Sequence, residues 1–133
     1  MTGVIRGSCH CKAVTWQAEL PPKIVLNCHC GMCRQLSGAD YSAWVVIPNE
    51  QFRIVEGGDN IRHYNASEHF SKTFCKHCGS TVSCVNNAKF PDHSYVARGS
   101  ILGDITLPVD LQVYTNDRAP WIHLDPDITA YNP

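Results

Sequence analysis

The stretch Cys28-His29-Cys30-Gly31-Met32-Cys33, followed by Arg34-Gln35, places three thiols within six residues at C-x-C-x-x-C spacing. Cys9-His10-Cys11 lies upstream and Cys75-Lys76-His77-Cys78-Gly79 downstream, so seven of the eight cysteines are clustered. Soft thiolates gathered by tight local turns form the ligand set that zinc prefers, with metal–sulfur bonds of about 2.3 Å. Seven thiols complete one tetrathiolate site and leave three over. The expected cofactor is therefore Zn2+, two ions per chain, the second site being the less completely furnished.

A chain of 133 residues is read as one domain, 1–133, large enough to bury a core without covalent staples. Charged residues are 17% and the net charge is −1. No basic surplus is available to displace counterions from a nucleic acid, and no Lys/Arg run suits an anionic membrane. The N-terminus Met1-Thr2-Gly3-Val4-Ile5-Arg6-Gly7 lacks the charged-then-apolar plan of a signal peptide. No apolar run approaches the ~20 residues of a spanning helix. The expectation is a soluble, cytoplasmic protein whose partners are small molecules, a thiol and an aldehyde, with a homo-oligomer open to it. Reduced thiols in that compartment favour metal over disulfides, and C-x-C or C-x-x-C pairs would close only tiny loops.

In chain order, Val4–Ser8 reads as a strand, followed by a turn or bulge that draws Cys9 and Cys11 together, with Gly7 and Ser8 supplying freedom. Ala13–Ala18 and Ile24–Asn27 are further strands, the second delivering Cys28. Arg34–Ser37 is one helical turn stopped by Gly38. Tyr41–Ile47 is rich in aromatic and β-branched residues and strand-like. Phe52–Val55, Gly57-Gly58 and Ile61–Tyr64 read as strand, turn, strand. Cys75-x-x-Cys78-Gly79 is a knuckle whose glycine takes the left-handed conformation. Thr81–Val85, Ser94–Ala97 and Leu111–Tyr114 complete an all-β reading of seven to ten short strands with little helix.

The thiols partition in two ways. Cys9, Cys11, Cys75 and Cys78 can close one site, leaving Cys28, Cys30 and Cys33 around a metal with one open position. Alternatively, Cys84 supplies the missing fourth ligand and both sites are structural. Cys84 lies mid-strand with no glycine or second thiol beside it, the setting of a small buried hydrophobe, which favours the first partition. A closed zinc is structural and an open one potentially catalytic.

Gly7-Ser8-Cys9-His10-Cys11, Cys28-His29-Cys30-Gly31-Met32-Cys33-Arg34 and Phe74-Cys75-Lys76-His77-Cys78-Gly79-Ser80 together resemble the glutathione-dependent formaldehyde-activating enzymes and their relative, centromere protein V. Val113-Tyr114-Thr115 and Ala119-Pro120-Trp121 are similar to that family too, so the motifs span nearly the whole chain in order. The resemblance implies a zinc-binding β-tent fold. It implies a structural zinc on Cys9, Cys11, Cys75 and Cys78, and an active-site zinc on Cys28, Cys30 and Cys33. It also implies a carbon–sulfur lyase that joins glutathione, or a similar thiol, to formaldehyde or another aldehyde. Lys12 departs from the family where a glycine is common, and Asp127–Tyr131 is a loose version of its tail.

Three thiolates leave a zinc site with net charge −1, which blunts its acidity toward water but suits a thiol, whose ordinary pKa is near 8.5. Arg34 is a candidate contact for a substrate carboxylate. His10, His29 and His77, between ligand cysteines, are expected to point outward; His63, His69, His93 and His123 carry no motif. Of the tryptophans, Trp121 is the best placed to line a cleft, with Trp16 and Trp44 in the core. A zinc-stabilised binding or scaffold module without chemistry is the alternative function. A redox enzyme using Cys84 as nucleophile is the weakest, because nothing around it lowers a thiol pKa.

Overall fold

A computed structural model describes residues 3–133. Met1 and Thr2, which head the expected 1–133 domain, lie outside the described residues. The elements in order are β1 (Gly3–Ser8), β2 (Thr15–Leu20), β3 (Ile24–Cys28), α1 (Gly31–Ser37), β4 (Ser42–Pro48), β5 (Phe52–Glu56) and β6 (Ile61–Asn65). They continue with β7 (Phe70–Cys75), β8 (Thr81–Asn86), β9 (His93–Ala97), β10 (Leu111–Val113) and β11 (Thr129–Tyr131). The all-β expectation holds, with eleven strands among the described residues where seven to ten were expected. Two strands lie outside those read from the sequence: β7, which runs into the Cys75 knuckle, and, last in the chain, β11, whose Thr129-Ala130-Tyr131 is exposed and carries no apolar alternation. β11 is defined by its parallel pairing with β10 rather than by its own composition.

β1, β2 and β5 form a three-stranded antiparallel sheet. The remaining strands form an eight-stranded sheet in the order β11-β10-β3-β4-β9-β8-β7-β6. Within it β10 runs parallel to both neighbours, β3 and β11, and the other pairs are antiparallel. Phe52–Val55 and Ile61–Tyr64 are strands, as expected, but not the two arms of one hairpin. β5 pairs with β2 and β6 with β7, in different sheets. Gly57-Gly58 is the crossing between sheets. Gly57 has φ 80, and a Cβ there would lie 1.7 Å from the Ala13 carbonyl oxygen, so only glycine lets the two backbones pass.

β4 is the strand around which the core divides. Val45 and Ile47 face the space between the two sheets, with Ile5, Val14, Trp16, Val25 and Val96. Trp44 and Val46 face the opposite side, with Leu26, Phe70, Cys84 and Tyr95. Its continuous apolar run is what a strand buried on both faces requires. Each such side chain taken fully out of water contributes about 1.5–3 kcal/mol. A register shift at Thr73/Phe74 leaves Val82 between the Ser83 and Thr81 pairings. Val82 then packs with the first cluster and Cys84, two residues on, with the second.

α1 begins three residues before the expected turn. Cys30 is its N-cap: extended at φ −63 and ψ 152, it accepts the Cys33 N–H on its Sγ at 3.3 Å. The expected stop at Gly38 is present, with φ 69 and its N–H donating to the Arg34 carbonyl at 2.9 Å. The Lys72 ammonium donates to the Leu36 carbonyl at 2.8 Å, at the helix end where a cation is favoured.

Candidate metal centres

The first cluster joins the two sheets. Just after β1, Cys9 N–H donates to the Val14 carbonyl at 3.0 Å and Lys12 N–H to the Cys9 carbonyl at 3.1 Å, which closes the turn carrying Cys11. The residue with left-handed backbone is Lys12, at φ 67. This corrects the expectation that Gly7 frees the turn. A Cβ on Gly7 would fall 2.0 Å from Trp16 Cε2, so Gly7 is there to admit the indole. From the other sheet, Cys75 ends β7, and the knuckle closes by Gly79 N–H to the Cys75 carbonyl at 2.8 Å with Gly79 at φ 77, as expected. His10 N–H donates to Ser80 Oγ at 3.0 Å and pins the turns together.

The sulfurs of Cys9, Cys11, Cys75 and Cys78 all lie within 4.8 Å of one another. Cys11 Sγ is 3.7 Å from both Cys9 Sγ and Cys75 Sγ. A tetrahedron with bonds of about 2.3 Å has sulfur–sulfur edges of about 3.8 Å, so the donor set fits zinc. Backbone N–H groups of Val14 and His77 donate to Cys9 Sγ at 3.3 Å and Cys75 Sγ at 3.4 Å. The Ser80 hydroxyl, 3.2 Å from Cys78 Sγ, is the main cause that holds that thiol down at about 5.

The second cluster gathers Cys28, at the end of β3, with Cys30 and Cys33 of α1, again within 4.8 Å. Among the described residues no fourth cysteine, histidine or carboxylate joins the group. Cys84 is fully buried and packs in the same apolar cluster as Cys28 and Cys33, but lies outside the ligand group. Burial, then the neighbouring Cys28 and Cys30, pushes its thiol well up. All eight cysteines are free thiols. In the second cluster the thiols share protons unequally. The Cys28 hydrogen bond, then that of Cys33, draws Cys30 down to about 3. Cys28 is pushed up to about 12, chiefly by Cys30, and Cys33 is raised, first by Cys28. Full ionisation of this triad therefore calls for a cation, and the donor set fits a thiophilic one.

The second cluster opens onto a cavity of about 440 Å³. Cys28, Cys30 and Cys33 form part of its wall, beside Trp44, Tyr95 and Tyr114. The phenol of Tyr95 is raised by burial first, then by Cys84 and Cys28, and that of Tyr114 by burial, then Cys28. Both stay protonated and can donate. Tyr114 has left-handed backbone, φ 56 and ψ 41, and its N–H donates to the Tyr131 carbonyl at 2.8 Å. An aromatic residue in that conformation is an outlier that its surroundings must hold. Neither tyrosine was singled out as a site residue from the sequence. The one available signal was that Tyr114 lies in Val113-Tyr114-Thr115.

Several placements differ from expectation. Trp44 lines the cavity, whereas Trp121 is 64% exposed and donates its indole N–H to Asp40 at 3.0 Å. His10 and His77 are exposed, but His29 is buried against Tyr41 at 4.9 Å, and its backbone N–H donates to the Val113 carbonyl at 2.9 Å. Burial, then Arg118 and Arg34, lowers its pKa. Arg34 is half-buried with Nε unpartnered and is not among the cavity's lining residues; Lys89 is. Among the described residues no helix is long and apolar enough to cross a membrane.

Fold and site together define a small, mostly β protein built around one four-cysteine and one three-cysteine cluster that could hold metal ions. Residues 4–117 match the family described as glutathione-dependent formaldehyde-activating enzyme, and the chain belongs to that family. It is 22% identical over 129 residues to a Halomonas elongata protein named "Putative glutathione-dependent formaldehyde-activating enzyme", covering 92% of this chain and 82% of that one. It is 27% identical over 113 residues to an uncharacterized lyase of Schizosaccharomyces pombe, covering 84% and 79%. A crystal structure of a Rhodobacter sphaeroides protein shares the fold, with a TM-score of 0.65 at 19% identity, over 95% of this chain and 98% of that one.

Proposed function

We propose that this chain is a zinc-dependent carbon–sulfur lyase that makes and breaks adducts between a low-molecular thiol and an aldehyde. The observation that carries the reading is the three-thiol cluster without a fourth protein ligand, forming the wall of a cavity. In this proposal Cys9, Cys11, Cys75 and Cys78 hold a structural zinc that ties the two sheets together. Cys28, Cys30 and Cys33 hold the second. A zinc ion at the second cluster would supply Lewis acidity toward a substrate thiol, favouring its thiolate at neutral pH.

The reaction is addition without redox change. The thiolate sulfur forms a bond to the aldehyde carbon, the carbonyl π pair moves to oxygen, and that oxygen takes a proton. The reverse step expels the thiolate and restores the carbonyl. Tyr95 and Tyr114 are the neutral donors beside the cluster, placed to hydrogen-bond the oxygen as charge develops on it. Trp44, Phe70 and Leu111 exclude water from the same space. The cation available to a substrate carboxylate in the lining is Lys89; Arg34 would reach one only from outside it.

Residues 1–133 are proposed to form one domain of this family. Eight unpaired thiols suit a reducing, cytoplasmic setting, and the proposed partners are small molecules rather than nucleic acid or membrane.

The family's description names glutathione and formaldehyde as the first reactants to try. Because the adduct forms without catalysis, the measurement is the equilibrium exchange rate between free and adduct thiol by NMR exchange spectroscopy. The rate is expected to rise linearly with zinc-loaded protein and to return to background in Cys30→Ser. No acceleration with any low-molecular thiol would leave a metal-stabilised scaffold as the better description.

A further inference from the structure

We propose that Asn132 is a positioning residue, which holds Tyr114 in the wall of the cavity beside the three-thiol cluster. What Tyr114 does there rests on the lyase reading; that Asn132 holds it there does not. In β10, Leu111 and Val113 line the cavity, while buried Gln112 points away from it to the carbonyls of Asp125 and Ile128, as the alternation of an extended strand requires. Continued as a strand, the chain would send Tyr114 to the side that Gln112 occupies. Tyr114 instead lines the cavity together with Val113. Its backbone makes the difference: at φ 56 and ψ 41 it is left-handed, and the chain turns there into Thr115–Asp117. Glycine adopts that conformation readily, whereas an aromatic residue in it must be held by its surroundings.

The hold comes from the segment that carries β11. The Tyr131 carbonyl accepts the Tyr114 N–H at 2.8 Å. One residue on, the Asn132 amide meets the turn twice. Its Nδ2 donates to Thr115 Oγ1 at 2.9 Å, and its Oδ1 accepts the Asn116 N–H at 2.9 Å. The bonds internal to the turn, Asp117 N–H to the Tyr114 carbonyl at 3.0 Å and Arg118 N–H to the Thr115 carbonyl at 3.2 Å, close it without tying it to β11. Gln112 fastens the upstream end of the segment, with Nε2 donating to the Asp125 and Ile128 carbonyls, both at 2.9 Å. Between the two amides lie the three exposed residues of β11, paired with β10. Asn132 therefore fixes the two residues that follow Tyr114 against the strand that accepts its N–H. Asn132 is itself exposed, so replacing it leaves no hole in the core.

The test follows zinc-loaded protein by two NMR readouts: exchange between free glutathione and its formaldehyde adduct, and hydrogen exchange of individual backbone amides. In Asn132→Ala the Tyr114 amide is expected to exchange at least about tenfold faster, while amides of the central strand β4 keep their rates. Catalysed adduct exchange is expected to fall about threefold to tenfold in the same protein. Asn132→Asp keeps an acceptor for the Asn116 N–H and can accept from the Thr115 hydroxyl, so both readouts are expected within about twofold of wild type. Asn132→Ala added to Tyr114→Phe is expected to slow adduct exchange no further than Tyr114→Phe alone, because the two act through one hydroxyl. An unchanged Tyr114 amide, equal acceleration of the β4 amides, or no rescue by Asn132→Asp each overturns the proposal. So does a catalysed rate that Asn132→Ala leaves unchanged, or one whose loss adds in full to that of Tyr114→Phe. Wild-type protein that accelerates no adduct of glutathione or another low-molecular thiol overturns the lyase reading, and the amide rates then decide the hold by themselves. Acceleration by wild type with a Tyr114 amide indifferent to Asn132→Ala does the reverse.

Discussion

Replacing Gly7 by alanine sets a methyl group 2.0 Å from Trp16 Cε2, 2.1 Å from Cζ2 and 2.4 Å from Nε1, all well inside contact distance. Trp16 is 1% exposed, packs against Phe52 and donates its indole N–H to Ser100 Oγ at 3.2 Å, so the ring has no free direction in which to retreat. Overpacking a filled core costs about 1–3 kcal/mol. Losing the indole hydrogen bond adds about 1 kcal/mol, for a total of about 2–4 kcal/mol. Lys12→Gly acts in the opposite direction. Relief of the left-handed backbone at φ 67 returns about 1–2 kcal/mol. The extra freedom of glycine in the unfolded chain takes back about 0.5–1 kcal/mol, leaving a net gain of about 0–1.5 kcal/mol. Urea unfolding at one fixed free zinc concentration measures both, since metal bound to the native state adds its own stabilisation. A Gly7→Ala protein within about 0.5 kcal/mol of wild type would refute the packing of Trp16 over Gly7, and a Lys12→Gly protein less stable than wild type by more than that would refute the placing of the strain at Lys12.

Cys84→Ala is expected to cost about 1 kcal/mol for the small cavity it leaves and to retain two metal ions per chain, counted by mass spectrometry under native conditions; loss of one ion would make Cys84 a ligand. Metal uptake at the second cluster is expected to strengthen as pH rises. Cys28 and Cys33, both held above the ordinary thiol range, keep their protons at neutral pH and must release them, so protons compete with metal as pH falls. Chelator competition between pH 6 and 8 reads this, and a flat affinity contradicts it. Tyr114→Phe is expected to lower the catalysed exchange rate by about tenfold or more if its hydroxyl donates to the developing alkoxide; an unchanged rate removes it from the mechanism.

The Cys28, Cys30 and Cys33 cluster and the two separate pairs, Cys9/Cys11 and Cys75/Cys78, were legible because cysteine spacing within each is local; the joining of the two pairs across 64 residues followed from the number of thiols and from resemblance. The strands that carry them were legible from β-branched and aromatic runs such as Ser42–Pro48. What stayed hidden depends on residues far apart in the chain. Gly57-Gly58 looks like a hairpin turn until the Ala13 carbonyl is seen against it. Gly7 looks like a hinge until the Trp16 ring is placed beside it. His29 sits between two of the clustered cysteines, and its burial goes with partners distant in the chain, the Tyr41 ring and the backbone of Val113 on β10. Trp44 and Trp121 could be ranked only by motif, and the cavity lies beside the first because β4 is central in its sheet. The cavity wall is drawn from β3, α1, β4, β9 and β10 together, so no window of sequence contains it.

The proposed function requires the two clusters to be unequal, one complete in sulfur and one lacking a protein donor among the described residues. X-ray absorption at the zinc edge measures this on protein carrying two zinc ions, before and after addition of a small thiol. Four sulfurs are expected around one ion and three sulfurs with one lighter donor around the other, rising to four sulfurs at both once the thiol is added. Four sulfurs at both ions in the protein alone, unchanged by thiol, would contradict it.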